Sequence, residues 1–239
     1  MLDRHIHPRL KPILHRCVSI IDKPAITPDG LTLVGFAIGV LALPFLALGW
    51  YLAALVAIVL NRLFDGLDGA LARRRGLTDA GGFLDISLDF LFYALVPFGF
   101  MLADPAANSL AGGWLLFAFM GTGSSFLAFA ALAAKHQIDN PGYAHKSFYY
   151  LGGLTEGTET ILLFVLGCLF PEYFAVMAWV FGALCWMTTF TRIWSGYLTL
   201  KKVQHQAARN TVPESGKSQK ELAIRVKEQP IAPLGKGRK

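Results

Sequence analysis

Six long apolar segments restrict this chain to one kind of backbone structure. Each segment is long enough to cross the ~30 Å hydrocarbon core of a membrane as a helix. Backbone N–H and C=O groups in lipid must be hydrogen-bonded within the segment, which a helix achieves. The composition agrees, because 54% of the residues are hydrophobic and 16% are charged. We therefore predict an all-α integral membrane protein with six transmembrane helices, at about 31–49, 50–72, 82–103, 110–134, 151–170 and 173–199.

Two polar segments flank the predicted spans. Residues 4–23 place apolar and basic side chains at helical spacing, which predicts a helix lying in the membrane interface; an amphipathic helix packed on protein has the same pattern. Residues 201–239 lack periodicity and carry ten Lys/Arg against three Asp/Glu, which predicts a basic, disordered tail that touches membrane lipids or only solubilises the chain. Because this tail accounts for the net positive charge, no nucleic-acid partner is expected. The expected domains are 1–30, an interfacial helix with a linker, 31–200, a transmembrane domain, and the tail.

The distribution of Lys and Arg among the loops predicts the orientation in the membrane. Positive charge lies in the N-terminal segment and at Arg73–Arg75, Lys135–Lys146 and Lys201–Lys202, whereas the alternate loops contain no Lys or Arg. Loops rich in Lys and Arg remain in the cytoplasm. We therefore expect both termini, and the aspartates on either side of the Arg73–Arg75 loop, to lie on the cytoplasmic side.

Four aspartates interrupt the two apolar segments on either side of the Arg73–Arg75 loop. Asp65 and Asp68 lie near the end of the second predicted span, and Asp85 and Asp89 lie near the start of the third. A charged side chain at the bilayer centre costs at least ~2.5–3.5 kcal/mol, so these carboxylates need cations to neutralise them. Carboxylate oxygens favour Mg²⁺ or Mn²⁺, and Mg²⁺ commonly shares its ligands with substrate phosphates. The pattern predicts a metal site where the two acidic helix faces meet.

Small residues and an arginine accompany the aspartates. Gly69, Ala72 and Arg73 share a helix face roughly 140° wide with the first acidic pair, and Gly81 precedes the second pair. The small residues leave room for a ligand, such as a nucleotide, against the helix backbone. Arg73 supplies a forked cation suited to a phosphate. Single parts of this pattern also occur as helix caps. Intramembrane carboxylates also serve ion transport, so a cation-coupled transporter is the alternative function.

The complete pattern is more specific than its parts. It reads D-x-x-D-G-x-x-A-R-x7-G-x-x-x-D-x-x-x-D and is occupied by Asp65, Asp68, Gly69, Ala72, Arg73, Gly81, Asp85 and Asp89. This order resembles the signature of the CDP-alcohol phosphotransferase, or CDP-alcohol phosphatidyltransferase, family. The resemblance extends along residues 1–200, because that family has six transmembrane helices preceded by an interfacial helix. The chain looks most like a bacterial inner-membrane branch of the family.

The resemblance implies an activity and a set of roles. It implies transfer of a substituted phosphate, such as a phosphatidyl group, from a CDP-linked donor such as CDP-diacylglycerol to an alcohol hydroxyl, with release of CMP, in phospholipid biosynthesis. Asp65, Asp68 and Asp85 would bind two divalent ions, Mg²⁺ or Mn²⁺, and Asp89 would share the site and act as general base. The nucleotide pocket would comprise Gly69, Ala72, Arg73 and Gly81. Family members are commonly homodimers, so a homodimer is expected.

One stretch departs from the family pattern. Many relatives carry Pro-Asn before the first span, whereas this chain reads Thr27-Pro28-Asp29. An ionised Asp29 cannot donate an amide proton. Asp29 and Thr32 are therefore candidate nucleotide-binding residues, and a turn with a helix cap is the alternative interpretation of the same stretch.

Four residues are candidates for binding the acceptor alcohol. Glu156 and Glu159 could accept hydrogen bonds from a polyol or attract an amine, and Lys146 and Arg192 could bind an anionic group. Each has an alternative role, because the glutamates could face interfacial water and Arg192 could extend its charge toward the interface or pair with a carboxylate.

Overall fold

The computed structural model describes residues 17–19, 22–136, 138 and 155–210. Within this part of the chain the regular structure is entirely helical, which confirms the all-α class. In chain order the helices are α1 Pro28–Val40, α2 Ala42–Ala47, α3 Tyr51–Arg75, α4 Asp79–Ala103, α5 Pro105–Lys135, α6 Gly157–Leu169, a 3₁₀ turn Pro171–Tyr173 and α7 Phe174–Asn210. Most of the predicted interfacial helix, Lys146 and residues 211–239 lie outside the described residues.

The described residues divide into two compact units, the first ending at Gly196 and the second beginning at Tyr197. The four aspartates and the helices packed around them belong to the first unit. In the second unit the described residues are helical as far as Asn210. The expected domain limits at residues 30 and 200 stay predictions.

Four helical segments in the described part of the chain are long and apolar enough to cross a membrane. They are Pro28–Ala47, Asp79–Ala103, Pro105–Lys135 and Pro171–His205. The second predicted span corresponds to α3, which has 25 residues but carries the charged residues of the motif. The fifth corresponds to α6, whose 13 residues are fewer than the ~20 that a span requires. The structure supports four candidate spans, and the count of six stays a prediction.

Threonine caps determine where the two helices beside the aspartates begin. The Thr27 hydroxyl accepts a hydrogen bond from the Gly30 N–H at 3.1 Å, and Thr78 caps α4 through the Gly81 N–H at 3.1 Å. The helix-cap interpretation of the stretch at Thr27 is thereby confirmed. Residues 76–78 form the turn between α3 and α4, and Gly76 has a φ of 110°, which other residues rarely adopt. This turn brings the end of α3 beside the start of α4.

Buried stripes on α3 and α4 turn the aspartates toward the interior. In α3, Ala54 and Ile58 are buried, and the same helix face continues at the spacing of Asn61, Asp65 and Asp68. In α4 the face carrying Asp85 and Asp89 continues to buried residues at 92, 96 and 100. The aspartates thus extend the interior face of each helix, and helix packing alone directs them toward each other.

Aromatic contacts hold α4 against α6 and α7. Phe92 contacts Phe164 of α6 edge-on, with 6.4 Å between ring centroids. Phe100 stacks on Phe174 of α7 at 4.0 Å. Between helices in lipid such contacts stabilise through van der Waals packing, because lipid tails are as apolar as the side chains. Since Phe92 lies one turn beyond Asp89, this packing fixes the rotation of α4.

Helix α1 approaches α3 closely through two glycines. A Cβ on Gly35 would lie 2.6 Å from the Phe64 Cβ, and a Cβ on Gly39 would lie 2.8 Å from the Asn61 Nδ2. Small residues four positions apart allow membrane helices to pack at short distance. The contact places the first turns of α1 against the half of α3 that carries the motif.

Candidate active site

Three aspartate side chains converge between α3 and α4. Asp65, Asp68 and Asp85 each offer a carboxylate oxygen that lies within 4.8 Å of the others. Asp68 is 4% exposed, and its Oδ2 has no hydrogen-bond partner among the described residues. An unsatisfied buried acceptor costs about 1–3 kcal/mol, and more when it is charged. These residues therefore fit a divalent cation with a preference for oxygen ligands, such as Mg²⁺ or Mn²⁺.

Asp89 lies in the same cavity and pairs with an arginine. Its Oδ1 accepts a hydrogen bond from the Arg62 Nη2 at 2.8 Å, and the Arg62 Nη1 lies 3.5 Å from the Asp65 Oδ2. Residues of α1, α3 and α4 line the cavity: Thr32, Gly35, Phe36, Asn61, Arg62, Asp65, Asp68, Asp85, Leu88 and Asp89. Arg62 thus links the two predicted aspartate pairs.

Asn61 and Arg62 are site residues that the sequence analysis missed. Asn61 is 4% exposed, and its Nδ2 donates to the Gly35 carbonyl at 2.9 Å. Its Oδ1 accepts from Arg62 Nε at 2.8 Å and from Nη2 at 2.6 Å. The available signal was the presence of a polar and a basic residue inside an apolar segment, since intramembrane ionisable residues are functional candidates by default.

The predicted nucleotide-binding residues form two close contacts at the ends of α3 and α4. The Arg73 Nη1 lies 3.3 Å from the position that a Gly69 Cβ would occupy, so the arginine folds over that glycine. A Cβ on Gly81 would lie 3.0 Å from the Asp29 Oδ1, so the first turns of α1 and α4 meet there. Ala72, which lies between Gly69 and Arg73 in the sequence, is half-buried. The Thr32 hydroxyl donates to the Pro28 carbonyl at 3.1 Å, and Thr32 also lines the aspartate cavity.

The other two arginines of the cluster bind the segment that precedes α1. Asp22 lies 3.0 Å from the Arg74 Nε and 2.6 Å from the Arg75 Nη2. Arg75 also donates to the Lys23 carbonyl at 2.8 Å. Both arginines therefore form ion pairs with Asp22, whereas among the described residues no ion pair within 4 Å is found for Arg73.

The candidate acceptor residues that the structure describes, Glu156, Glu159 and Arg192, are not among the residues that line the aspartate cavity. Glu156 caps α6 in a capping box, and its N–H donates to the Glu159 Oε2 at 3.1 Å. Arg192 is 7% exposed and donates from Nη1 to the Thr122 carbonyl at 3.2 Å. Lys146 lies outside the described residues. The structure gives both glutamates a helix-capping role, and acceptor binding by these four residues stays a prediction.

Comparison with known proteins identifies the family. The model of the CDP-alcohol phosphatidyltransferase family matches residues 25–194, a range that includes the four aspartates, Asn61 and Arg62. An inner membrane protein of Escherichia coli strain K12, YnjF, is 87% identical over 206 residues, which cover 86% of this chain and 100% of the relative. The archaetidylinositol phosphate synthase of Pyrococcus horikoshii is 28% identical over 190 residues, or 79% of this chain and 93% of the relative.

Solved structures share the fold. The Mycobacterium tuberculosis phosphatidylinositol phosphate synthase PgsA1 with CDP-DAG bound is 22% identical, with a TM-score of 0.55 over 78% of this chain and 92% of that chain. The same enzyme in complex with manganese and citrate has a TM-score of 0.56 over 78% of this chain and 88% of that chain. The family match spans most of the chain and includes the whole aspartate motif. The chain therefore belongs to the CDP-alcohol phosphatidyltransferase family and is a transferase.

Proposed function

We propose that this transferase moves a phosphatidyl group from a CDP-linked lipid, such as CDP-diacylglycerol, to the hydroxyl of an alcohol and releases CMP, in a reaction that requires Mg²⁺ or Mn²⁺. The observation that carries the proposal is the convergence of Asp65, Asp68 and Asp85 within 4.8 Å inside the family match. A relative with the same fold has been solved with CDP-DAG and with manganese and citrate, which supports both the donor and the ion for this chain.

Asp65, Asp68 and Asp85 would hold the metal, with Asp89 at the edge of the site. When bound, divalent ions would neutralise the charge of a pyrophosphate and stabilise the departing phosphate oxygen. On α1 and α4, the side of the cavity lined by Thr32 and Asp85 lies about one helix turn from the Asp29–Gly81 contact. A nucleotide held along Gly69 and Gly81 would reach the aspartates from that side.

Asp89 is the proposed general base. Its Oδ1 is fixed by Arg62 at 2.8 Å, and the side chain remains 29% exposed, so an acceptor hydroxyl can reach it from the cavity. A carboxylate within hydrogen-bond distance of that hydroxyl removes its proton as the oxygen attacks the phosphorus, an effect typically worth about 10²–10⁴ in rate. Arg73 would bind a donor phosphate, because its guanidinium matches two phosphate oxygens at once.

The membrane arrangement is part of the proposal. We infer six spans, an interfacial helix before them, and both termini and the aspartate site at the cytoplasmic face of a bacterial inner membrane. The support is the complete alternation of Lys/Arg-rich and Lys/Arg-free loops, together with a close relative named as an inner membrane protein. At this face a lipid donor keeps its acyl chains in the bilayer while a water-soluble acceptor arrives from the cytoplasm. A homodimer is the proposed assembly.

The acceptor alcohol is tested with a panel. Two relatives are named as inositol phosphate lipid synthases, so inositol phosphate is the first acceptor to test, followed by glycerol phosphate, inositol and serine. An anionic acceptor would use Lys146 and Arg192, and a neutral polyol would use Glu156 and Glu159. Transfer to phosphorylated acceptors, with none to the neutral ones, would favour binding by Lys146 and Arg192.

Purified protein in detergent with CDP-diacylglycerol, Mn²⁺ or Mg²⁺ and each acceptor tests the proposal through release of CMP. We expect CMP only when metal, donor and one hydroxyl acceptor are all present, and none after addition of EDTA. Ion flux into vesicles without CMP release by any acceptor would instead support the transporter alternative and overturn the proposal.

A further inference from the structure

Arg62 is a positively charged side chain that lies within the carboxylate site. Its guanidinium contacts Asp89 at 2.8 Å and Asp65 at 3.5 Å, whereas the converging oxygens belong to Asp65, Asp68 and Asp85. We propose that Arg62 is a positioning residue that serves as the built-in counter-cation on the Asp89 side of the site. The three converging aspartates then bind one divalent ion before the donor arrives, and a second ion binds only with the donor's phosphates. This inference rests on the proposed function.

The position of Arg62 is also determined by contacts with groups other than the aspartates. Asn61 Oδ1 accepts two hydrogen bonds from the guanidinium, at 2.8 Å and 2.6 Å. Asn61 is itself anchored to the Gly35 carbonyl at 2.9 Å. The guanidinium also lies over the Phe92 ring, 4.8 Å from its centroid, and near the Tyr93 ring at 5.5 Å. Arg62 is therefore held by groups that a purely electrostatic attraction to the aspartates would not require.

Arg62 and a metal ion compete for the same oxygens. The Nη2 atom occupies a hydrogen-bonding direction of the Asp89 Oδ1, and Asp65 is shared between the guanidinium and the converging group. A divalent ion bound by Asp65 and Asp89 would lie close to the guanidinium, and the two positive charges would repel each other. The donor's phosphates change this balance, because they add negative charge and oxygen ligands to the site.

Metal binding by the full-length protein, measured without any donor, tests the inference directly. Metal-free protein in detergent is titrated with Mn²⁺, and bound ions are counted by electron paramagnetic resonance and calorimetry. We expect the wild-type protein to bind one ion and Arg62→Met to bind two, with the first bound at least about tenfold more tightly because a nearby positive charge is gone. Arg62→Lys keeps the charge and should bind one ion. Arg74→Met removes a charge from the same helix outside the cavity and should behave as wild type.

The outcomes separate this inference from the proposed function. The role of Arg62 alone is overturned if wild type and Arg62→Met bind the same number of ions, with dissociation constants within about twofold, while the wild type still releases CMP. Binding of no Mn²⁺ by the wild type overturns the metal site and this inference with it. Size-exclusion chromatography checks folding of each variant. If Arg62→Met does not fold, Arg62→Gln replaces it, because its amide can still donate to Asn61 while its charge is absent.

Discussion

Asp68→Asn is expected to stabilise the metal-free protein while it abolishes turnover. The asparagine has the same shape, so the substitution changes mainly the charge of a side chain that is 4% exposed. At an effective dielectric constant of about 20, two negative charges 4.8 Å apart repel each other by ~3.5 kcal/mol. Asp68 has two such neighbours, Asp65 and Asp85. Because Arg62 and water in the cavity reduce this repulsion, we expect a net gain of ~1–3 kcal/mol in the free energy of unfolding.

Thermal unfolding in detergent, with and without metal, measures this effect. For a chain of this size the expected gain corresponds to a melting temperature roughly 3–10 °C higher than wild type in EDTA. At a metal concentration of about 100 times the dissociation constant the wild type gains ~2.7 kcal/mol, whereas Asp68→Asn, which lacks one ligand, gains less. Addition of Mg²⁺ should therefore reduce or reverse the difference between the two proteins.

The matched control is Asp104→Asn, which exchanges the same groups away from the cluster. Asp104 is exposed and accepts a hydrogen bond from the Ala107 N–H at 3.0 Å, and asparagine caps a helix equally well. We expect its stability to remain within about 0.5 kcal/mol of wild type and its turnover to be unchanged. A variant Asp68→Asn that melts no higher than wild type in EDTA, or that still releases CMP, would refute the assignment of Asp68 to the metal site.

Two further substitutions test the packing that positions the site. Gly39→Ala should lower the stability by ~1–3 kcal/mol, because its Cβ would lie 2.8 Å from the Asn61 Nδ2 and 2.9 Å from the Phe92 Cδ2; Gly113→Ala, which meets no atom within 4 Å, is the control and should leave the melting temperature unchanged or raise it. Thr27→Ala should lower the stability by ~1 kcal/mol through loss of the cap of α1, and Thr27→Ser should restore it; equal melting temperatures for these two variants would show that the cap does not hold α1.

The motif residues could be predicted from the sequence because their spacing is local. On a helix, residues three or four positions apart share a face, so the pairing of Asp65 with Asp68 and the contact of Arg73 with Gly69 follow from the order of residues. The helix cap at Thr27, one of the two interpretations of that stretch, depends on the same kind of short-range rule. The packing of α1 on α3 through Gly35 and Gly39 had a local signal as well, two small residues four positions apart, which the sequence analysis did not use.

Contacts between distant residues could not be predicted in this way. Arg62 and Asp89 are separated by 27 positions, and Asn61 and Gly35 by 26, so their pairing depends on how α1, α3 and α4 pack. Glu156 was a candidate for acceptor binding because of its position near the start of α6. The structure shows instead that its side chain belongs to a capping box.

The sequence by itself determined that the chain is helical and belongs in a membrane, because apolar segments of this length leave the backbone no other way to satisfy its hydrogen bonds. It also predicted which aspartates, glycines and arginine form the candidate site. The tertiary structure decided how their charges are arranged: three carboxylates converge, and the fourth is paired with Arg62. The physical reason is that electrostatic interactions depend on distances across helix interfaces, which only the packing of α1, α3 and α4 sets.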